Sequence, residues 1–217
     1  MTVLEVPPVS AIADVLALWG DDGWLTPPLT PVVAASQSII GGVRIVVIES
    51  ASSGPGLAPM YDAMSNDLSG CFVVFAGAHP VGGAVWGEIV THAARQQNAV
   101  GALIDGFVRD VPEMSKLGLP SYASGRCVGG PSARAHVVGV NVETRICGIS
   151  IAPGDSVVAD ATGCVRIRAS RVEDVLVAAR RYAAAEAQVA NALIDGEPLS
   201  SAYRYKKSVV DELKEVR

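Results

Sequence analysis

An arginine and an aspartate stand side by side where a strongly apolar segment ends. Residues 101–110 read GALIDGFVRD, so Arg109-Asp110 follows a run that is typical of a buried strand. In parallel α/β sheets, ligands bind outside the carboxyl ends of the strands. A carboxylate there can hold a hard cation such as Mg²⁺ with water, and a guanidinium can bind an oxygen that becomes negative during a reaction. Taken alone, such a pair is more often a solvated surface ion pair.

A glycine-led helix start lies shortly before this strand. The segment GGAVWGEIVTHAARQQ predicts a helix over residues 88–97, with the amide groups of Gly87, Glu88, Ile89 and Val90 at its N-terminal end. Free amides and the helix dipole make such an end suitable for a carboxylate or a phosphate. The alternative is that the glycines only form turns and that the glutamate is an acidic residue favoured in a first helical turn.

The helix and the strand belong to one predicted crossover unit. A buried strand over 71–75 precedes the helix, and parallel neighbours would bring the carboxyl ends of both strands to one edge of the sheet. Glu88 and Asp110 are then expected to converge, with Arg109 between them. This set suits a 2-oxo acid, whose carboxylate and ketone can chelate a metal. The expected chemistry is enolate formation while a C–C bond breaks.

The elements that must position these residues change character along the chain. The first half alternates strands and helices, which favours a mostly parallel sheet with crossover helices. Beyond Pro120, short strands separated by turn signals follow, then one long alanine-rich helix and a charged tail that is either a docking helix or a frayed end. The predicted helices are 10–18 (with Ser10 as a possible N-cap), 59–68, 88–97 and 171–193, and the predicted strands are 43–48, 71–75, 101–104, 136–142, 145–151, 156–160 and 164–168.

Composition narrows the class of protein. Of the 217 residues 50% are apolar and 18% are charged, the net charge is −5, and lysine and arginine are scattered. Neither a nucleic-acid footprint nor a bilayer-spanning segment is indicated. The N-terminal residues have no signal-peptide pattern, so a cytoplasmic protein is expected. Four cysteines without a CxxC pair are expected to be structural.

The same residues resemble the family that contains 4-hydroxy-4-methyl-2-oxoglutarate aldolase and the regulator of ribonuclease activity A. The resemblance rests on Gly87-Glu88, twenty further residues, Arg109-Asp110 and then Glu113, supported by APGDSVVADATGCVRI. It implies one α/β domain over 1–217, a swivelling β/β/α-type sandwich with a mixed sheet and a long C-terminal helix. Residues 196–217 would be an extension that could dock on a neighbouring subunit.

The resemblance also implies an activity, a class II pyruvate aldolase that needs Mg²⁺ or Mn²⁺ and assembles as a homotrimer or hexamer. Asp110 would be the metal ligand, and Arg109 would hold the pyruvyl group and steady the enolate. The stretch Gly87–Val90 would bind the substrate, and Glu88 would act through water in the outer shell of the metal. Family aldolases more often carry aspartate at that position. The family also uses an acid from the neighbouring subunit, for which Glu186 is the candidate and a solvent-facing glutamate the alternative.

Three functions are compatible with these residues. The leading hypothesis is a lyase that cleaves a 4-hydroxy-2-oxo acid to pyruvate in a retro-aldol step and decarboxylates oxaloacetate through the same enolate. The others are a non-catalytic protein that inhibits a ribonuclease and a different metal-dependent lyase or hydratase. The intact Arg-Asp-x-x-Glu favours an enzyme. Arg126 could bind a distal substrate group, although the sequence does not fix its position, and His79 and Trp86 are expected to be structural.

Overall fold

The computed structural model describes residues 5–215. The strands are β1 Thr30–Val33, β2 Ile39–Ser50, β3 Cys71–Ala76, β4 Ala84–Trp86, β5 Gly101–Val108, β6 Ser121–Arg126, β7 Ala135–Val140, β8 Thr144–Ile146, β9 Ile149–Ile151, β10 Ser156–Ala159 and β11 Cys164–Ile167. The helices are α1 Val9–Leu18, α2 Ala58–Met64, α3 Glu88–Gln96, α4 Val111–Leu117, α5 Val172–Ile194, α6 Leu199–Ala202 and α7 Arg204–Glu215. None of these helices has the length and apolarity needed to cross a bilayer.

One mixed sheet carries the Arg-Asp pair. Its order is β1-β6-β5-β3-β2-β10-β11, with β4 added to β5 and β7 added to β2. The four strands β2, β3, β5 and β6 run parallel, whereas β1, β7, β10 and β11 pair antiparallel with their neighbours. The mixed sheet and the long C-terminal helix, α5, are therefore confirmed.

The central strands are buried on both faces, which explains their continuous apolar sequence. On one face, α2, α3 and α4 contribute Met64, Ala94 and Met114 to a core with the side chains of β3 and β5. On the other face, Ile146 and Ile149 of the β8–β9 hairpin cover the sheet. Because β5 is fixed from both sides, the residues that follow it have a defined position.

A helical layer formed by α1, α5 and α7 packs on the β10–β11 end of the sheet. Leu213 of α7 is buried in this layer, and the indole N–H of Trp19 donates to the carbonyl of Leu213 at 2.9 Å. The charged tail is thus a docking helix, and it packs on its own chain. Docking on a neighbouring subunit stays a prediction.

Several predicted bounds are wrong for identifiable reasons. Helix α1 begins at Val9 after Pro8, and no side chain caps it, so Ser10 is not the N-cap. The predicted strand 145–151 is a hairpin, because Cys147 (φ 42°) and Gly148 (φ 86°) turn the chain. Strand β6 and helix α4 were not predicted, since SYASGR lacks β-branched residues and VPEMSKL makes only two turns of helix.

Candidate active site

The helix start and the Arg-Asp pair are in contact. Strand β4 leads into α3 and lies beside β5, with Trp86 opposite Val108. The backbone N–H of Arg109 donates to the Trp86 carbonyl at 3.0 Å. A Cβ atom built on Gly87 would lie 2.9 Å from Asp110 Oδ2 and 3.1 Å from Arg109 Cγ. The two segments that the sequence singled out therefore meet at one edge of the sheet.

Asp110 adopts a backbone conformation that turns both side chains of the pair to this edge. Its φ is 58° and its ψ 37°, in the left-handed region, where aspartate is among the better-tolerated residues. Neighbouring residues of a regular strand would point to opposite faces, whereas here Arg109 Nε lies 3.6 Å from Asp110 Oδ2. The side chains are 45% and 43% exposed, and the Asp110 carboxylate does not cap α4. A ligand can therefore reach both groups.

Helix α3 presents free amide groups beside them. The first hydrogen bond within the helix runs from the Thr91 N–H to the Gly87 carbonyl at 3.0 Å. The N–H groups of Glu88, Ile89 and Val90 therefore have no acceptor within the helix. A cavity of about 200 Å³ adjoins these amides. Its lining combines the helix start and the Arg-Asp pair with Leu57, Met60, Tyr61 and Pro131. These last four were missed from sequence, because nothing in their types or spacing links them to the site.

The Glu88 carboxylate points along its own helix. Its Oε1 lies 3.8 Å from Nε2 of His92, one turn further on. The side chain is 44% exposed, so water can reach the carboxylate. This arrangement fits an indirect role through water better than a direct contact with an ion held at Asp110.

The donor set at this edge fits a water-rich magnesium site. Within residues 5–215, no group of three or more His, Cys, Asp or Glu side chains is placed to hold a metal. Mg²⁺ keeps several waters and is often bound through one or two carboxylates together with its substrate. Asp110, accessible and without a side-chain role in capping α4, is suitable as such a ligand. An all-protein cage, as for structural zinc, does not fit these residues.

Glu186 lies in the helical layer rather than at the edge of the sheet that carries the site. Its Oε1 is 2.7 Å from Nζ of Lys206 on α7, and Lys206 also lies 3.9 Å from Asp14 Oδ2 on α1. The carboxylate therefore helps to hold α7 on α5. A contribution of Glu186 to the site of a neighbouring subunit stays a prediction, as does assembly into a trimer or hexamer.

Cys147, Cys164 and Trp86 are buried and have packing roles. Burial, with a smaller effect of Asp105, raises the pKa of Cys147 to about 12, so its thiol stays protonated near neutral pH. Burial also raises the pKa of Cys164. Trp86 is 1% exposed and packs edge-on against Phe75, with ring centroids 5.0 Å apart.

A buried hydrogen-bond chain fixes the start of α3. The Trp86 indole N–H donates to Thr91 Oγ1 at 2.8 Å, and the Thr91 hydroxyl donates to the Gly87 carbonyl at 2.8 Å. We expect Thr91→Val to lower the free energy of unfolding by about 1–3 kcal/mol, because the buried indole N–H loses its acceptor. Thr91→Ser keeps the hydroxyl and serves as the control. Urea denaturation measures both variants, and a valine variant as stable as the serine variant would contradict this role.

Comparison with known proteins shows first which proteins share this fold and then the family to which the chain belongs. The crystal structure of Streptomyces coelicolor RraAS2 shares the fold, with a TM-score of 0.70 over 79% of this chain and 85% of that one. RraAS2 is 18% identical to this chain and is described as an unusual member of the RNase ES inhibitor RraA protein family. Residues 9–166 match the family model described as RraA-like, Aldolase/RraA. The chain belongs to the RraA-like family.

Two more similar proteins cover nearly the whole chain. A protein of Halalkalibacterium halodurans, named "putative 4-hydroxy-4-methyl-2-oxoglutarate aldolase", is 27% identical over 208 residues, which cover 95% of this chain and 94% of that protein. The crystal structure of an uncharacterized protein from Pseudomonas syringae pv. tomato is 27% identical, with a TM-score of 0.77 over 90% of this chain and 92% of that one. The family thus has members named for aldolase activity and members named for ribonuclease inhibition.

Proposed function

We propose that this protein is a divalent-metal-dependent carbon–carbon lyase. It cleaves a 4-hydroxy-2-oxo acid to pyruvate and decarboxylates oxaloacetate through the same enolate. The observation that carries the proposal is the contact of Gly87 with Arg109 and Asp110, next to the free amides of α3 and an open cavity. The similarity over almost the full length to a protein named as an aldolase supports it.

Substrate binding uses the backbone and the guanidinium. The amides of Glu88, Ile89 and Val90 receive the substrate carboxylate, since free N–H groups and the helix dipole favour an anion there. Arg109 donates to the 2-oxo oxygen and stabilises its charge as it becomes negative. The two interactions orient the bond between C3 and C4 of the substrate toward the cavity.

Bond cleavage requires a base, a place for the electron pair and a proton donor. Asp110 would hold the divalent cation, which as a Lewis acid supplies polarisation of the 2-oxo group. Glu88 acts through water to accept the proton of the 4-hydroxyl group. The C3–C4 bond then breaks, the carbonyl product leaves, and the electron pair enters the enolate that Arg109 stabilises. Protonation of C3 from the same water gives pyruvate.

The requirement for a metal gives the direct test. With Mg²⁺ or Mn²⁺, we expect pyruvate to form from oxaloacetate faster than in protein-free solution with the same metal. Lactate dehydrogenase and NADH measure the pyruvate. Excess EDTA should reduce the rate to background, because Lewis-acid polarisation of the 2-oxo group is lost, and added metal should restore it.

The binding-protein hypothesis predicts a different result. The lyase proposal would be contradicted if the protein were inactive toward every 2-oxo acid tested in the presence of metal and bound a ribonuclease tightly. Background rates of oxaloacetate decay with each metal are the control, because free divalent cations also promote that reaction.

A further inference from the structure

His136 of β7 is a buried polar residue to which the proposed reaction gives no role. It is 6% exposed, and its Nδ1 accepts a hydrogen bond from the Gly56 N–H at 2.8 Å. Gly56 belongs to the β2–α2 loop, residues 51–57, which connects the end of β2 with the start of α2. The imidazole therefore ties this loop to the sheet.

The β2–α2 loop leads directly into one wall of the cavity at the start of α3. Leu57 at the end of the loop, together with Met60 and Tyr61 of α2, lines this cavity beside the Arg-Asp pair. Met60 is 2% exposed and held in the core, whereas Leu57 is half-buried and Tyr61 is 60% exposed. The positions of Leu57 and Tyr61 thus depend on how the loop enters the helix.

We propose that His136 is a positioning residue of the candidate site, whose imidazole holds the β2–α2 loop and so fixes the wall that Leu57 and Tyr61 form. The inference rests on the proposed function for its effect on turnover. The contact between His136 and the loop is a property of the fold and can be tested separately. His136 touches neither substrate nor metal in this role.

The β2–α2 loop lies directly against the imidazole. A Cβ atom built on Gly54 would lie 2.7 Å from Nδ1 and 2.8 Å from Cγ of His136. Two residues further on, the Gly56 carbonyl accepts a hydrogen bond from the Val137 N–H at 2.9 Å. The loop is therefore held to β7 by one backbone bond and by the side chain of His136, and the glycine permits the close approach.

The two ring nitrogens of His136 have different surroundings. A ring nitrogen that accepts a hydrogen bond carries no proton, so the neutral ring has its proton on Nε2. Nε2 is buried, and no group of residues 5–215 forms a hydrogen bond with it. The contribution that histidine makes beyond apolar packing is therefore the bond from the loop to Nδ1.

Hydrogen exchange followed by mass spectrometry tests this contact without reference to turnover. His136→Leu removes the acceptor, whereas His136→Asn keeps an oxygen near the position of Nδ1. We expect faster amide exchange over residues 51–64 in the leucine variant, with unchanged exchange in β3 and β5, because the buried strands open only with the whole sheet. The asparagine variant should exchange like wild type. Equal exchange of residues 51–64 in all three proteins would overturn the inference.

Steady-state kinetics with oxaloacetate and Mg²⁺ test the effect on the site. Loss of the contact lowers the fraction of molecules in which the cavity wall is in place, and apparent affinity falls by that fraction. We expect KM to rise about 3- to 10-fold in His136→Leu, the effect of one lost hydrogen bond. The value of kcat should stay within about twofold, because β4 and β5 hold the reacting groups. His136→Asn should restore KM, and a lower kcat at unchanged KM would contradict the role.

Gly54→Ala disturbs the same contact from the loop and decides the question if the leucine variant does not fold. The added methyl group would meet the imidazole, so faster exchange over residues 51–64 and a higher KM are expected. Gly42→Ala, whose Cβ would meet nothing within 4 Å, is the matched control. If the wild type forms no pyruvate, the proposed function falls, while faster loop exchange still supports the contact. Unchanged loop exchange in both His136→Leu and Gly54→Ala overturns the inference even in an active enzyme.

Discussion

Asp110→Asn should abolish metal-dependent pyruvate formation. The carboxylate is the group at the site that we assign to the cation, and an amide oxygen without charge binds Mg²⁺ far more weakly. Several kcal/mol of charge stabilisation would be lost, so we expect kcat/KM with oxaloacetate to fall by about 1,000-fold or more. Asparagine is the informative replacement, because it has nearly the same shape and also tolerates the left-handed backbone at φ 58°.

Metal binding provides a readout for this variant that does not depend on turnover. Electron paramagnetic resonance of Mn²⁺ should detect bound metal in the wild type and much less in Asp110→Asn, while circular dichroism shows equal folding. Asp211→Asn, at an exposed residue of α7, is the control for removal of one negative charge. If Asp110→Asn kept its activity and its Mn²⁺ affinity, Asp110 would not be the metal ligand.

Gly87→Ala should produce the second-largest loss. The backbone at Gly87 is extended, with φ −175°, a conformation that alanine adopts readily, so the effect comes from space alone. The added methyl group would sit 2.9 Å from Asp110 Oδ2 and 3.1 Å from Arg109 Cγ. One or both side chains must move, and since a displacement of about 1 Å can cost a hundredfold in rate, we expect kcat/KM to fall by about 100-fold.

A glycine of the same sheet gives the matched control. A Cβ atom on Gly42 of β2 would meet nothing within 4 Å, and Gly42 is outside the left-handed region, so Gly42→Ala should leave activity unchanged. Steady-state kinetics and thermal unfolding of both variants separate misplacement from loss of folding. Activity of Gly87→Ala within threefold of wild type would mean that the close approach at Gly87 does not position the pair.

The parts of the candidate site that could be predicted from the sequence lie in short continuous segments. The helix start and the Arg-Asp pair each lie in one stretch next to an apolar strand, and crossover geometry was enough to bring them to one edge. The left-handed turn at Asp110 could not be predicted, because a left-handed conformation of a non-glycine residue has no reliable sequence signal.

The remainder depends on long-range packing. Leu57, Met60 and Tyr61 reach the cavity at the start of α3 because α2 packs on the sheet, and Arg126 lies opposite Val108 because β6 pairs with β5. Strand β6 was not predicted, since SYASGR has few residues that favour strands and its position comes from its pairing with β5 and β1. A fold class can follow from periodicity, whereas the walls of a cavity follow from which elements become neighbours.

The burial of strand β5 determines how the candidate site is lost when the protein unfolds. It lies between β3 and β6, also pairs with β4, and is covered by apolar side chains on both faces. Segments of this kind exchange their amide hydrogens last, because several pairings must open together. Arg109 and Asp110 follow the last residue of β5 directly. Local fraying of α7, which packs in a different cluster, would leave the pair in place, and loss of the candidate site should coincide with cooperative unfolding of the whole sheet.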